Sequence, residues 1–337
     1  MGEYVFRSVR LWRPCEGYWM ALDDFNTESR SFVRFWGVRG SVPTPGPSTV
    51  GFGGNTSCVE VRIGDEIVVF DAGTGIRLLG DSLEREFPGR DLELTVFLSH
   101  THWDHIQGIP FFRPAYRLGN SVRILGRKAV SGELSKILAD QMDGPHFPVP
   151  MENMVGSVVV EDIDDARVDL PGGCVKTIQL QHPGGATGYR LDSQGSSVAY
   201  LTDHEPATYE SGNRPEAAAL NAELIEFIRG VDVLIMDAQY SQEEYLKHVG
   251  WGHGSVDDVV RIGAAGQVGR LFLFHHDPYH DDEKLRLFGD YAANLARELG
   301  SGLSVVPARE GDVVWLGEQE APQAVGRGLT RVETKSA

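Results

Sequence analysis

With 337 residues, 41% of them hydrophobic, the chain can bury a sizeable core as one large domain or two modest ones. Its 48 Asp and Glu against 31 Lys and Arg leave a formal charge of −17. Such a surface repels polyanions unless a local basic groove intervenes, and no run of cations supplies one, so transfer RNA and DNA are not expected as partners while small anions remain open. Three widely spaced cysteines (Cys15, Cys58, Cys174) and no apolar N-terminal signal read as reduced thiols in a cytoplasm. No apolar run reaches the ~18 residues that a membrane span needs.

Residues 1–30 place Trp12, Trp19 and Phe25 among polar residues without a clear period, and read as an extension that packs its aromatics on the domain. Regular structure starts at the alternating strand Phe32–Trp36, succeeded by a Gly/Pro loop over 37–46 and a tight loop over 53–57. Cys58–Ile63 and Ile67–Phe70 form a hairpin through Gly64-Asp65. Ile76–Phe87 has the spacing of an amphipathic helix, Leu94–Leu98 reads as a buried strand, 121–126 as another, and Ser131–Met142 as a helix. Asp143–Pro150 is too rich in proline for either. Beyond it, Val175–Leu180, Thr187–Leu191, Ser197–Thr202, Val231–Met236 and Leu271–Phe274 read as strands, with helices over Arg214–Arg229, Ser255–Ala265 and Asp281–Leu299. Short strands at Val305-Val306 and Val313–Trp315 precede a polar tail over 318–337. The expected organisation is one domain over 31–317.

The strand Leu94–Leu98 runs into Ser99-His100-Thr101-His102-Trp103-Asp104-His105, three histidines and an aspartate within six positions. His100 and His102 share a face because side chains on extended chain alternate with period two. Gly108 and Pro110 force a turn that can bring Asp104 and His105 round to the same point. Imidazole and carboxylate at this density suit Zn2+ or a similar first-row divalent ion.

Other apolar runs end in the same residue types: Phe70 before Asp71, Gln181 before His182, Thr202 before Asp203, Met236 before Asp237, Phe274 before His275. Strand ends converging on one edge are a common way to build a site on a rigid scaffold. All eleven histidines lie at or after His100. His248, His280 and His204 read as ordinary surface or core histidines.

His100-x-His102-x-Asp104-His105, with His182, Asp203 and His275 further along, resembles the metallo-β-lactamase fold superfamily. With Gly-Gly-Asn-Thr-Ser at 53–57, Phe-Asp-Ala-Gly-Thr-Gly at 70–75 and Gly-His-Gly-Ser at 252–255, the chain is similar to the phosphodiesterase branch, which holds ribonuclease Z, cyclic-nucleotide phosphodiesterases and phosphoribosyl 1,2-cyclic phosphodiesterase. The resemblance spans about residues 32 to 316 and implies an α+β fold, a four-layer αββα sandwich with metals at one edge. It further implies two divalent ions, Zn2+ in the first place with Mn2+ or Fe2+ as alternatives. His100, His102 and His182 would hold one ion, Asp104, His105 and His275 the other, and Asp203 would bridge them. His275 is preferred to its neighbour His276, which would touch substrate or fix a ligand. Asp71 would orient a metal ligand from beneath.

Two ions with Asp104, Asp203 and a bridging hydroxide leave a residual charge of about +1, which attracts an anionic diester and stabilises its transition state. His253 matches the position from which ribonuclease Z-like enzymes protonate the leaving oxygen, so Asp104, Asp203 and His253 are the expected catalytic residues. Arg39 and Ser41 could meet a phosphate, His146 sits in a candidate lid with Phe147 and Pro148, and Asn55 lies in a tight loop of the motif set. The expected substrate is a small cyclic or nucleotide phosphodiester, and a homodimer is left open. A hydrolase of thioesters or lactones and a non-catalytic metal-stabilised binding domain are the alternatives; the Gly-His-Gly-Ser motif opposes the first and the filled ligand positions oppose the second.

Overall fold

Period-two alternation decides which face each strand turns to its neighbours, and in this chain both faces of the central strands are apolar. The computed structural model describes residues 31–127, 133–163, 166–193, 195–207 and 214–317. The extension at 1–30 and the tail at 318–337 lie outside the described residues. In chain order the first half forms β1 (Phe32–Gly37), β2 (Cys58–Ile63), β3 (Glu66–Phe70), α1 (Gly75–Glu86), β4 (Glu93–Leu98), α2 (Trp103–Ile106), β5 (Ser121–Gly126), α3 (Leu134–Asp140) and β6 (Ser157–Asp162). The second half forms β7 (Arg167–Leu170), β8 (Gly173–Leu180), β9 (Ala186–Ser193), β10 (Ser196–Leu201), α4 (Arg214–Phe227), β11 (Val233–Asp237), α5 (Gln242–Tyr245), α6 (Val256–Ala265), β12 (Arg270–Phe274), α7 (Asp282–Glu298), β13 (Ser304–Pro307) and β14 (Val313–Trp315).

Among the described residues these strands make two seven-stranded sheets, ordered β14-β1-β2-β3-β4-β5-β6 and β13-β12-β11-β10-β9-β8-β7. Their inner faces share one core, with Val68, Phe70 and Phe97 of the first sheet against Tyr189, Tyr200, Ile235 and Phe274 of the second. The alternate residues of the same strands face outward. Val69, Val96 and Leu98 pack with Ile76, Leu79 and Leu83 of α1, while Leu234, Met236 and Leu273 pack with Val259 and Val260 of α6 and Ala292 of α7. That is the four-layer αββα sandwich expected from the sequence.

In each sheet an antiparallel meander leads into parallel strands, β3 to β6 in the first and β10 to β13 in the second. Parallel strands deliver their carboxyl ends to one edge, where open α/β sheets bind their ligands. Asp71, His100, Asp203, Asp237 and His275 all stand at or just beyond such ends. At the opposite edge the chain closes on itself, because β14 pairs antiparallel with β1 and Leu316 donates its N–H to the Ser31 carbonyl at 3.0 Å.

Helix limits reflect capping chemistry. Ser255 and Asp281, read as first helical residues, stand one place before α6 and α7, and each accepts a hydrogen bond from a backbone N–H of the first turn. Strands β6 and β7 are not foreshadowed by the sequence. Each is an edge strand of its sheet, half-exposed and carrying charged residues (Ser-Val-Val-Val-Glu-Asp and Arg-Val-Asp-Leu), so they lack the continuous apolar run of an interior strand. Among the described residues no helix is long and apolar enough to cross a membrane.

Phe70 sits at the centre of the inter-sheet core, its ring 5.9 Å from Phe97, 5.7 Å from Tyr189 and 5.2 Å from Tyr200. Phe70→Ala is expected to cost about 3–5 kcal/mol of stability, read as a lower urea midpoint at unchanged slope. A loss below about 1 kcal/mol would mean that the sheets close over the cavity.

Candidate metal centre

The centre is built from Asp71 upward. This fully buried carboxylate accepts hydrogen bonds from the Ser99 N–H at 2.7 Å, the Ser99 hydroxyl at 2.8 Å and the Tyr200 hydroxyl at 2.7 Å, and it meets His105 Nδ1 at 2.8 Å. Burial, with the Asp71 charge beside it, pushes the Tyr200 phenol well up, so it stays protonated and donates. With Nδ1 committed to Asp71, His105 presents Nε2 to Asp104 Oδ2 and Asp203 Oδ2, each at 3.1 Å.

The same logic orients the other rings. The Ser99 hydroxyl gives its hydrogen to Asp71 and so accepts from His100 Nδ1 at 3.1 Å, which leaves His100 Nε2 as a lone pair. His182 Nδ1 donates to the Gly252 carbonyl at 3.0 Å, so its Nε2 is a lone pair too, 3.2 Å from His102 Nδ1. Asp203 serves both sides with separate oxygens. Oδ1 lies 3.7 Å from His100 Nε2 and 3.6 Å from His182 Nε2, while Oδ2 lies 3.1 Å from His105 Nε2 and 3.2 Å from His275 Nε2. His275 Nε2 also meets Asp104 Oδ2 at 3.1 Å, and the Ser41 N–H donates to that oxygen at 2.7 Å.

Three groups of side chains are spaced to hold a metal ion: His100, His102, His182 and Asp203; Asp104, His105 and His275; and Asp203, Asp237, His253 and His275. The chemistry of the donors fits a cation. His100 Nε2 and His275 Nδ1 are buried without a hydrogen-bond partner, and ring nitrogens converge on carboxylate oxygens where only positive charge can reconcile them. Burial alone would raise the Asp104 and Asp203 carboxyls, but the surrounding imidazoles hold both well below the usual range. Burial, joined by His105, pulls His100 down, and burial likewise lowers His182, leaving both neutral as ligands must be. Burial also opposes charge on His105, yet Asp104, Asp203 and Asp71 overcome it and keep a proton there in the metal-free chain.

Local backbone is strained where the centre forms. Asp71, Asp203, His275 and Ser41 all adopt positive φ, 61°, 53°, 59° and 61°, a region that side chains larger than glycine rarely enter. Gly252, at φ 89°, lets its carbonyl reach His182, and a Cβ there would run into that ring. Gly40 likewise leaves room for the His275 ring.

Other expected residues are placed elsewhere. His276 turns its Nε2 to the Ala308 carbonyl at 2.8 Å, away from the cluster. Arg39 is fully buried and spends its guanidinium on the carbonyls of Gly53, Asp277 and His280, tying loops together rather than meeting a phosphate. Asn55 pairs with the Glu310 carboxylate. His146 is exposed and held by Asp143, while its neighbour Phe147 packs on Phe111 at 5.4 Å. Asp237, marked in the sequence only as a ligand-type residue at a strand end and given no role, ends β11 fully buried and meets His253 Nδ1 at 2.6 Å. Glu205, which the sequence does not mark at all, accepts through its carboxylate from the N–H groups of Gly250 and Gly252 and from the Tyr245 hydroxyl. Asp237 was visible as another aspartate at a strand end; nothing in the chain marks its partner sixteen residues on.

An ion held by His105 would have to displace the proton that Asp104, Asp203 and Asp71 keep there. Uptake of zinc or manganese by the chelator-stripped protein is therefore expected to release protons, and the apparent affinity to rise with pH until His105 is neutral. Calorimetric titration in buffers of different ionisation enthalpy measures this, and uptake without proton release would contradict the protonated His105.

The model of the β-lactamase superfamily domain matches residues 66–276, more than half of the chain. Ribonuclease Z of Thermoplasma acidophilum is 25% identical over 293 residues, covering 76% of this chain and 89% of that protein. The crystal structure of unliganded yeast PDE1 aligns with a TM-score of 0.60 at 13% identity, over 86% of this chain and 100% of that one. Human tRNase Z, short form, aligns with a TM-score of 0.54 at 19% identity, over 84% and 98%. These relatives overturn the expectation that no transfer RNA partner is taken. That expectation rested on the charge of −17 and on the scatter of cations along the sequence. Folding gathers Arg127, Lys176, Arg190 and Arg229 around one groove of about 860 Å³, so dispersal along the chain is no measure of dispersal in space, although Asp192 pairs with Lys176 and Arg190, and Glu226 with Arg229. The chain belongs to the β-lactamase superfamily, as a metal-dependent hydrolase of the metallo-β-lactamase fold.

Proposed function

We propose that the chain hydrolyses phosphodiesters at a dinuclear metal centre. The carrying observation is the Asp237–His253 pair beside the ligand cluster. The His253 ring lies 5.3 Å from His182 and 5.0 Å from His275, one ring from each side of the centre. Asp237 binds His253 Nδ1, so Nε2 is the nitrogen left to face a substrate. Burial opposes a charge on His253, but Asp237, with Asp203 and Asp104 adding to it, carries the imidazole up to about 9. Bound ions would cancel the contribution of Asp104 and Asp203 and leave that of Asp237. A histidine so held has a proton to give at neutral pH, which an alkoxide leaving group requires. The names ribonuclease Z and PDE1 among the relatives support the same reaction class.

In this reading His100, His102 and His182 hold one ion, and Asp104, His105 and His275 the other. Asp203 bridges them, its two oxygens already divided between the two groups of rings. Nitrogen and carboxylate donors in this ratio suit Zn2+ first, with Mn2+ or Fe2+ as alternatives. Such a pair, when bound, lowers the pKa of a shared water and draws charge from the phosphoryl oxygens. In this reading the protein keeps the carboxylates ionised, fixes the rings of His100, His105 and His182 through the partners on their far nitrogens, and offers His253 as the acid for the leaving group.

Metal analysis of protein purified without chelator is expected to find about two ions per chain. Asp203→Ala is expected to lower that number and abolish turnover. A stoichiometry of one or below that zinc or manganese does not raise would sink the dinuclear centre.

The role of His253 depends on how badly the leaving group needs a proton. General-acid catalysis is worth about 10²–10⁴-fold, and only for poor leaving groups. His253→Ala is expected to spare much of the rate on a nitrophenyl phosphodiester and to damage hydrolysis of a nucleotide diester severely, at unchanged metal content. Equal losses on both substrates would remove the acid role. Loss of an ion would make His253 a ligand, as the group of Asp203, Asp237, His253 and His275 allows.

A further inference from the structure

Two large indoles stand exposed beside the metal centre. Trp103, between His102 and Asp104, is 77% exposed, and Trp251, next to Gly252, is 60% exposed. Their chain neighbours are joined through one ring, since His102 Nδ1 lies 3.2 Å from His182 Nε2 and His182 Nδ1 lies 3.0 Å from the Gly252 carbonyl. Trp103 thus stands between a residue of each ligand group, His102 and Asp104, and Trp251 beside the carbonyl that orients His182, so both indoles belong to segments that carry the cluster.

Isolated exposed apolar side chains are ordinary on protein surfaces, but they are seldom braced. Trp251 is braced from three directions. The backbone amides on either side of it, those of Gly250 and Gly252, both donate to the Glu205 carboxylate, at 2.9 and 2.8 Å. Glu205 is itself held by the Tyr245 hydroxyl at 2.8 Å. The indole meets His248 edge-on at 4.7 Å, and His248 stacks on Tyr240 at 4.5 Å with an interplanar angle of 11°. Tyr240 in turn meets His253 edge-on at 6.1 Å. A framework of carboxylate and rings thus holds an apolar plane out in water, one residue from a carbonyl that orients a ligand-type histidine.

We propose that Trp103 and Trp251 form a stacking rim for nucleobases, so that the substrate is a phosphodiester carrying a nucleoside next to the scissile bond. This rests on the phosphodiesterase reading and narrows it. Base–aromatic stacking tolerates any base, because every base offers a π face, and a plane fixed in advance loses little freedom when a base lands on it. A rim at the centre would favour a phosphodiester that carries a nucleoside over one whose ester groups lack a base.

The test compares adenosine monophosphate with ribose 5-phosphate, which keeps the phosphate and sugar and lacks the base, by calorimetric titration of the metal-loaded full chain. Wild type is expected to favour the nucleotide by roughly tenfold or more. Trp103→Ala and Trp251→Ala are each expected to shrink that ratio, by up to about tenfold, and Trp→Phe at either position to keep most of it. Equal affinity of wild type for the two ligands overturns the rim. So do Ala variants that lose both ligands alike, and Phe variants that behave as Ala variants do. A change of oligomeric state in the Ala variants, seen by light scattering, overturns it in favour of an interface with a second copy of the chain. The two readings fail separately: a wild type that turns over phosphodiesters without base preference loses the rim alone, whereas one inert on every phosphodiester while fully metal-loaded loses the reaction.

Discussion

Everything at the site hangs on the carboxylate of Asp71. Taking an ionised carboxyl out of water costs several kcal/mol unless donors replace the lost hydration. Here Ser99 donates twice, Tyr200 once, and His105 supplies an imidazole N–H. Those donors come from the end of β4, from β10 in the opposite sheet and from α2, so one buried charge ties the two layers together at the edge where the ligands gather. It also sets a chain of tautomers, because Ser99 can accept from His100 only after its own hydrogen has gone to Asp71. Two of the candidate ligands are therefore aimed by a residue that touches no ion.

The backbone records the same constraint. Four of the five non-glycine residues with positive φ, among the described residues, are Ser41, Asp71, Asp203 and His275, all in the centre. Aspartate and histidine enter this region more readily than most, at a cost of order 1–3 kcal/mol each. A strand that simply continued would carry its last side chain up or down the sheet. A left-handed residue just past β3, β10 and β12 breaks the strand geometry and aims Asp71, Asp203 and His275 into the gap between the sheets' ends. The core between the sheets, centred on Phe70, supplies the burial that sustains such strain.

Much of this was legible in the chain for one physical reason. Interior parallel strands are apolar on both faces, so Ile67–Phe70, Leu94–Leu98 and Leu271–Phe274 stand out, and the polar residue that ends each run is necessarily at the edge. The edge strands β6 and β7 are half-exposed and carry charged residues, and they pass for loop. Arg39 shows the opposite failure. A cation in a Gly/Pro loop looks free for a phosphate, yet three carbonyls from distant loops claim it, and only the fold brings those together. The pairings of Asp237 with His253 and of Glu205 with Gly250, Gly252 and Tyr245 are hidden for the same reason, since they are defined by space. Net charge and the spacing of cations along the chain do not tell where cations gather in space, as Arg127, Lys176, Arg190 and Arg229 do around one groove.

The pairing of β14 with β1 carries a consequence for handling the protein. Residues 31 and 317 emerge side by side, at the end of the sandwich remote from the carboxyl ends of β3, β4, β10 and β12. A fusion partner, affinity handle or surface tether joined at either place leaves the mouth of the centre unobstructed. Two points of the chain that lie this close also suit circular permutation. A variant trimmed to residues 31–317, joined there by a short linker and reopened at an exposed turn such as Gly64-Asp65, would move its ends without touching a ligand, giving a second point of attachment on the same scaffold.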